Sequence, residues 1–252
     1  MKTNKLGRTD IDISAICLGC WGFSNDFMWH DQAEQDSINT IHAALDLGVN
    51  FLDTAEGYGA GASEEVVGKA LKGRRQDAVI ASKVSDANLA PDDLIAACER
   101  SLTRMGTDYI DLYQIHWPSR VVPMAESLDT LQNLKKQGKI RAIGVSNFGP
   151  LDMAELFSLG RAESNQLAYS LLARAIEYEI QPICVEQEMS ILCYSPLLHA
   201  ILTGKFQNAD EVPDERARTR HFSSDRPMTV HDSPGCEIET FAAVEAIRQI
   251  SA

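Results

Sequence analysis

The chain has no apolar run near the roughly 18–20 residues that a membrane-crossing helix needs. Its start, Met1-Lys-Thr-Asn-Lys-Leu-Gly-Arg8, also lacks the apolar stretch of a secretory signal. A cytoplasmic location is therefore expected. Positive charge is scarce too, with 23 Lys and Arg against 36 Asp and Glu and a net charge of −13. Such a surface repels phosphate polymers and anionic lipid, which argues against nucleic acid and membranes as partners. Cys17, Cys20, Cys98, Cys184, Cys193 and Cys236 show no disulfide-scaffold spacing, and most sit in apolar runs, as reduced core thiols do. Cys17-Leu-Gly-Cys20 has the spacing of half a zinc site, yet no second Cys or His pair complements it, so no metal is expected.

What is present is the composition of a soluble globular protein: 44% hydrophobic and 23% charged residues in a chain of 252. That length suits a single domain over 1–252 of the size of an α/β barrel. Residues 2–14, with turn material at Gly7-Arg-Thr-Asp10, predict a short hairpin. Short β-rich runs then follow at 15–20, 50–54, 78–84, 110–117, 140–146, 164–169 and 190–196. Helix-like segments alternate with them at 31–48, 63–72, 91–106, 123–138, 149–160, 174–188 and 236–251. Asp31 is placed to cap the first helix, Gly48 to end it, and Glu64 and Glu65 to occupy the first turn of the second. Strand then helix, repeated, implies right-handed crossovers and a parallel sheet. Residues 198–235 are long, polar and rich in Arg, Asp, Ser and Pro, the pattern of a functional lid or of a mobile segment, with a lid favoured.

The chemistry gathers around Phe51-Leu-Asp-Thr-Ala-Glu-Gly-Tyr-Gly59, which puts a carboxylate and a phenol where a buried strand ends. A Lys closes Val79-Ile-Ala-Ser-Lys83, and a His closes Ile110-Asp-Leu-Tyr-Gln-Ile-His116. In parallel barrels, active-site groups come from strand C-terminal ends. Alone, Asp53 reads as a loop or helix cap, Tyr58 as a packed aromatic and His116 as a core histidine. Lys83 inside an apolar run needs a partner. Together they suit protonation of an oxygen that becomes alkoxide when hydride reaches its carbon. Lys83 is expected to lower the Tyr58 pKa, Asp53 to keep Lys83 charged, and His116 to orient a carbonyl or share in a proton relay. A competing pattern, Gly57-Tyr-Gly-Ala-Gly-Ala62 with Asp77 or Asp86 as ribose acid, fits a dinucleotide fingerprint but leaves Lys83 and His116 idle.

Leu52-Asp-Thr-Ala-Glu-Gly-Tyr58, Ala81-Ser-Lys83, Gln114-Ile-His-Trp117, Gly144-Val-Ser-Asn-Phe148, Asn165-Gln166 and Tyr194-Ser-Pro-Leu197 resemble, in order, the motifs of the aldo-keto reductase family across nearly the whole chain. The resemblance implies a TIM-type (β/α)8 barrel that uses NADP(H) to reduce a small carbonyl compound, sugars included, with Asp53, Tyr58, Lys83 and His116 as the catalytic tetrad. It implies that Ser146, Asn147 and Gln166 hold the nicotinamide carboxamide and that Tyr194 stacks on the ring. Ser195, Leu197 and Lys205 match the segment that wraps the pyrophosphate, and Trp21 and Trp117 are expected to line the substrate mouth. The family's last strand and helix and its adenosine-phosphate segment have no counterpart here. From that departure come the expectations of a missing final βα unit, of closure by self-association, and, as the alternative function, of a catalytically impaired nucleotide-binding or interaction module.

Overall fold

The computed structural model describes residues 1–25, 29 and 32–251. Strands β1 (Thr3–Lys5) and β2 (Asp12–Ser14) pair antiparallel as the expected hairpin. Parallel strands β3 (Cys17–Gly19), β4 (Phe51–Asp53), β5 (Val79–Val84), β6 (Ile110–Ile115), β7 (Ile140–Ser146), β8 (Ser164–Ala168) and β9 (Ser190–Tyr194) follow, neighbours in space as in sequence. Helices α1 (Glu34–Asp46), α2 (Ala62–Ala70), α3 (Pro91–Met105), α4 (Met124–Lys136), α5 (Pro150–Leu159) and α6 (Ile180–Glu186) connect them, and α7 (Glu237–Ser251) comes last. This is TIM-type architecture with an N-terminal hairpin.

Neighbouring strands lie about 4.8 Å apart, so four steps across a flat sheet span roughly 19 Å. Gln166 on β8 nevertheless donates to Asp53 on β4 over 2.9 Å. The sheet therefore curls, and alternate side chains of distant strands meet on its concave face. Phe51, Val79, Ala81, Leu112, Ala142 and Leu192 form an apolar layer there, closed by Leu6, Ile11 and Ile13 of the hairpin. Side chains two residues apart share a strand face. Two residues beyond Phe51, Ala81, Leu112 and Ala142 stand Asp53, Lys83, Gln114 and Gly144, so the next layer is polar. The opposite face carries Leu52, Ile80, Ile143 and Val145, packed on Val67, Leu94, Leu131 and Leu156 of the helices. Each such fully buried side chain contributes about 1.5–3 kcal/mol.

Helix ends match the expected signals with one difference. Gly48 takes a φ of +82° beyond α1, and Glu64 and Glu65 occupy the first turn of α2. The proposed cap Asp31 lies outside the described residues. The helix expected over 174–188 is confined to Ile180–Glu186, with a separate short turn at Ala175–Glu177. Pro182 explains this, because a helix begun at 174 would set its ring against the carbonyl of Tyr178, whereas a start at 180 puts it in the first turn.

The chain packs as two compact units, one of residues 1–167 and 176–192, the other of 168–175 and 193–252. Within the second, Leu198, Ile201, Phe206, Val212, Ala217 and Phe222 form an apolar cluster with Val244 of α7. The Arg226 guanidinium donates to Ala209 O at 2.7 Å, Val212 O at 3.2 Å and Glu237 Oε1 at 3.2 Å. The segment expected as a lid thus has a packed interior of its own. Among the described residues, no helix is long and apolar enough to cross a membrane.

Candidate active site

Asp53 ends β4, Lys83 is the penultimate residue of β5, and His116 directly follows β6. Tyr58 is brought back beside them by a tight turn in which Gly59, Ala60 and Gly61 have φ of +58°, +53° and +102°. A Cβ at Gly59 would lie 2.4 Å from Ser24 O, so glycine is required both for the left-handed backbone and for the close approach. The glycines that mimic a dinucleotide fingerprint serve to present the phenol. The rival ribose acid Asp77 is held by Arg74 at 3.0 Å.

Lys83 is fully buried, and its three ammonium protons meet three acceptors: Asp53 Oδ2 at 2.6 Å, Thr54 O at 2.9 Å and Tyr58 Oη at 3.0 Å. Burial pulls the ammonium toward neutrality, but Asp53 and Tyr58 more than offset this and hold its pKa above the ordinary value. For Tyr58, burial outweighs the opposing charge of Lys83 and raises the phenol above its usual pKa. The expected lowering is corrected: Lys83 acts in that direction, but desolvation of the phenolate is the larger effect. The phenol is thus fully protonated at neutral pH, as a proton donor must be. Burial, reinforced by the Lys83 charge, pushes His116 down to about 4. Its imidazole is neutral at pH 7, which favours orienting a carbonyl over carrying a relayed proton. The Tyr58 and His116 rings meet edge to face at 5.8 Å.

Trp21 stacks on Tyr58, with ring centroids 5.7 Å apart and planes 21° apart, and Trp29 packs edge-on against Trp21 at 5.8 Å. Trp117, next to His116, is half exposed. Ser146 ends β7, and its hydroxyl donates to Gln166 O at 3.0 Å. Asn147 takes a left-handed φ of +62°, donates its backbone N–H to Gln166 O at 2.9 Å, and donates through Nδ2 to His116 O at 3.1 Å. Ser146, Asn147 and Gln166 therefore adjoin the tetrad. Tyr194, Ser195, Leu197 and Lys205 belong to the second unit. There Tyr194 O accepts from Tyr169 N at 3.3 Å, Ser195 has a φ of +51°, Leu197 is exposed, and the Lys205 ammonium lies 5.6 Å from the Phe206 ring centre.

Sequence reasoning missed Glu56 and Gln114. Glu56, buried in the Tyr58 loop, accepts from Ser85 N at 2.8 Å, Asn88 Nδ2 at 2.9 Å and Arg100 Nη2 at 3.3 Å, tying that loop to the one after β5. Gln114 donates to Asp53 Oδ1 at 3.4 Å. Its position two residues before His116 and two beyond Leu112 marks it as concave-facing, a signal readable once the layer pattern is known. Cys20, Cys98 and Cys184 are buried, as expected of core thiols, whereas Cys17, Cys193 and Cys236 are exposed. Among the described residues, no group of three or more His, Cys, Asp or Glu is placed to hold a metal.

A family model described as "Aldo/keto reductase family" matches residues 15–251. Aldo-keto reductase YhdN of Bacillus subtilis (strain 168) is 39% identical over 297 aligned residues, which cover 100% of this chain and 89% of that protein. An NADH-specific methylglyoxal reductase of Escherichia coli (strain K12) is 36% identical, with 92% of this chain and 78% of that protein covered. Among solved structures, an aldo-keto reductase from Klebsiella pneumoniae in complex with NADPH is similar with a TM-score of 0.75 and 31% identity, over 99% of this chain and 93% of that one.

Proposed function

The chain belongs to the aldo/keto reductase family of NAD(P)H-dependent oxidoreductases, and from that premise we propose that it reduces a small aldehyde or ketone to an alcohol, with Tyr58 as proton donor. The observation that carries this reading is the buried chain Asp53–Lys83–Tyr58, with contacts of 2.6 and 3.0 Å. The reduced nicotinamide cofactor, NADPH or NADH, would supply hydride for the carbonyl carbon, held by the residues named below. The Tyr58 O–H bond breaks as the alcohol O–H forms, and the phenolate left behind is stabilised by the Lys83 ammonium, which Asp53 keeps in place. Neutral His116 orients the carbonyl oxygen by a hydrogen bond.

A carboxamide has two N–H donors and one acceptor oxygen, and the Ser146 hydroxyl with the Asn147 and Gln166 amides offers both kinds of partner, so these residues fit the nicotinamide end. Tyr194 is assigned to the ring, Ser195, Leu197 and Lys205 to the phosphates, and Trp21 and Trp117 to the substrate. The methylglyoxal reductase relative supports a short 2-oxoaldehyde as substrate. That relative is NADH-specific, whereas the Klebsiella protein was solved with NADPH, so both cofactors enter the test. A cytoplasmic location is part of this reading.

The test mixes purified protein with NADPH or NADH and methylglyoxal or 4-nitrobenzaldehyde, following loss of reduced-nicotinamide absorbance. Turnover in at least one pair is expected. Cofactor binding by fluorescence titration without turnover in any pair would refute reduction and leave a binding module.

A further inference from the structure

Resting on the reduction reading above, we propose that Gln114 is a positioning residue that fixes the Asp53 carboxylate, and through it the Lys83–Tyr58 pair, independently of Gln166. Gln114 stands on β6 in register with Lys83 on β5 and Gly144 on β7. Its side chain is fully buried, with Nε2 3.4 Å from Asp53 Oδ1, the oxygen that Gln166 Nε2 approaches to 2.9 Å. Two neutral amides thus hold one carboxylate oxygen while the other faces Lys83 at 2.6 Å. Gln166 is assigned a second task, on the cofactor carboxamide, so the orientation of its amide also answers to the bound cofactor. Gln114 has no such second task.

Two observations show that packing alone does not account for a glutamine here. Its Oε1 is buried and accepts no hydrogen bond among the described residues, a penalty that an apolar side chain of the same length would avoid. Gly144 makes the space: a Cβ there would lie 2.8 Å from Gln114 Cγ and 2.6 Å from Ser164 Oγ, although its backbone is not in the left-handed region. A glycine inside a strand weakens the strand, so the room it leaves has a use.

Gln114→Met keeps length and shape and removes only the amide. The expected result is a kcat/KM for carbonyl reduction about tenfold lower, the size of effect one hydrogen bond to a charged group carries. With Asp53 no longer fixed opposite Lys83, the ammonium acts more fully on the phenol. The alkaline limb of the pH profile therefore moves to lower pH. NADPH affinity by fluorescence titration stays within about twofold of the unaltered protein, because Gln114 is assigned no cofactor contact. An unmoved alkaline limb, or a tenfold weaker NADPH affinity, would overturn the assignment. If Gln114→Met does not fold, Gly144→Ala, which pushes Gln114 aside, must move the limb in the same direction. Failure of the unaltered protein to reduce any carbonyl defeats the reduction reading itself, whereas turnover with an unchanged pH profile in the variant defeats only the role of Gln114.

Discussion

Replacing Lys83 by Met removes the charge at the centre of the site while filling nearly the same volume, and the structure sets how much that should destabilise the fold. Lys83 is fully buried and bonds three acceptors, and Asp53 is itself only 9% exposed. After the substitution, the Asp53 carboxylate keeps the amides of Gln166 and Gln114, and Thr54 O loses its ammonium donor. Breaking a buried ion pair by removing one partner costs about 3–5 kcal/mol, most of it the penalty on the charge left behind. At about 2–4 °C per kcal/mol for a chain of this size, the melting temperature should fall by about 10 °C. Thermal unfolding followed by circular dichroism measures this directly. A second variant isolates the cause: Lys83→Met combined with Asp53→Asn removes both charges, so the double variant should be more stable than Lys83→Met alone, although it carries one substitution more. A melting temperature for Lys83→Met within about 2 °C of the unaltered protein, or a double variant less stable than the single, would refute the buried pair.

Tyr58→Phe deletes one acceptor of Lys83 and the proposed acid together: kcat should fall by about 10²–10⁴-fold while stability changes by about 1 kcal/mol or less, as steady-state kinetics and thermal unfolding would record. His116, held down to about 4, should give no inflection near the usual histidine pKa in the pH profile of kcat/KM, and an inflection between pH 6 and 7 that disappears in His116→Gln would contradict its neutral state. The same shift makes acid destabilising: between about pH 6.5 and 4 the unfolded imidazole binds a proton that the folded one refuses, so stability falls with falling pH, by about 1–2 kcal/mol after allowing for the partial exposure of His116. Urea titrations at several pH values, on the unaltered protein and on His116→Gln, would reveal whether that slope belongs to this residue. Gly59→Ala must place a methyl 2.4 Å from Ser24 O on a left-handed backbone, so a loss of about 2–4 kcal/mol is expected together with lower kcat, since the same turn carries Tyr58; unchanged unfolding in denaturant would show that the turn yields freely.

The sequence by itself determined the order of elements and singled out the four polar residues that the structure brings together. Both rest on local regularities: strand runs alternating with helical ones, and polar residues at strand ends, as with Asp53, Lys83 and His116. It also carried the turn signals, and Gly48 ends its helix where the residue type demands. Where a local signal was overlooked, the error stayed local, as when Pro182 shortened the helix expected over 174–188. The tertiary structure alone decided what depends on burial and on distance through space. The direction of the Tyr58 pKa turned on desolvation, which no neighbour in the sequence reports. The hold of Gln166 on Asp53 joins residues 113 apart in the chain. Likewise, the packed interior of 198–235 depends on Val244 of α7, outside that segment. The physical reason is common to these cases: strand period and turn chemistry are properties of neighbours along the chain, whereas the electrostatics of the site exist only once a curled sheet has brought its separate strands to one dry centre.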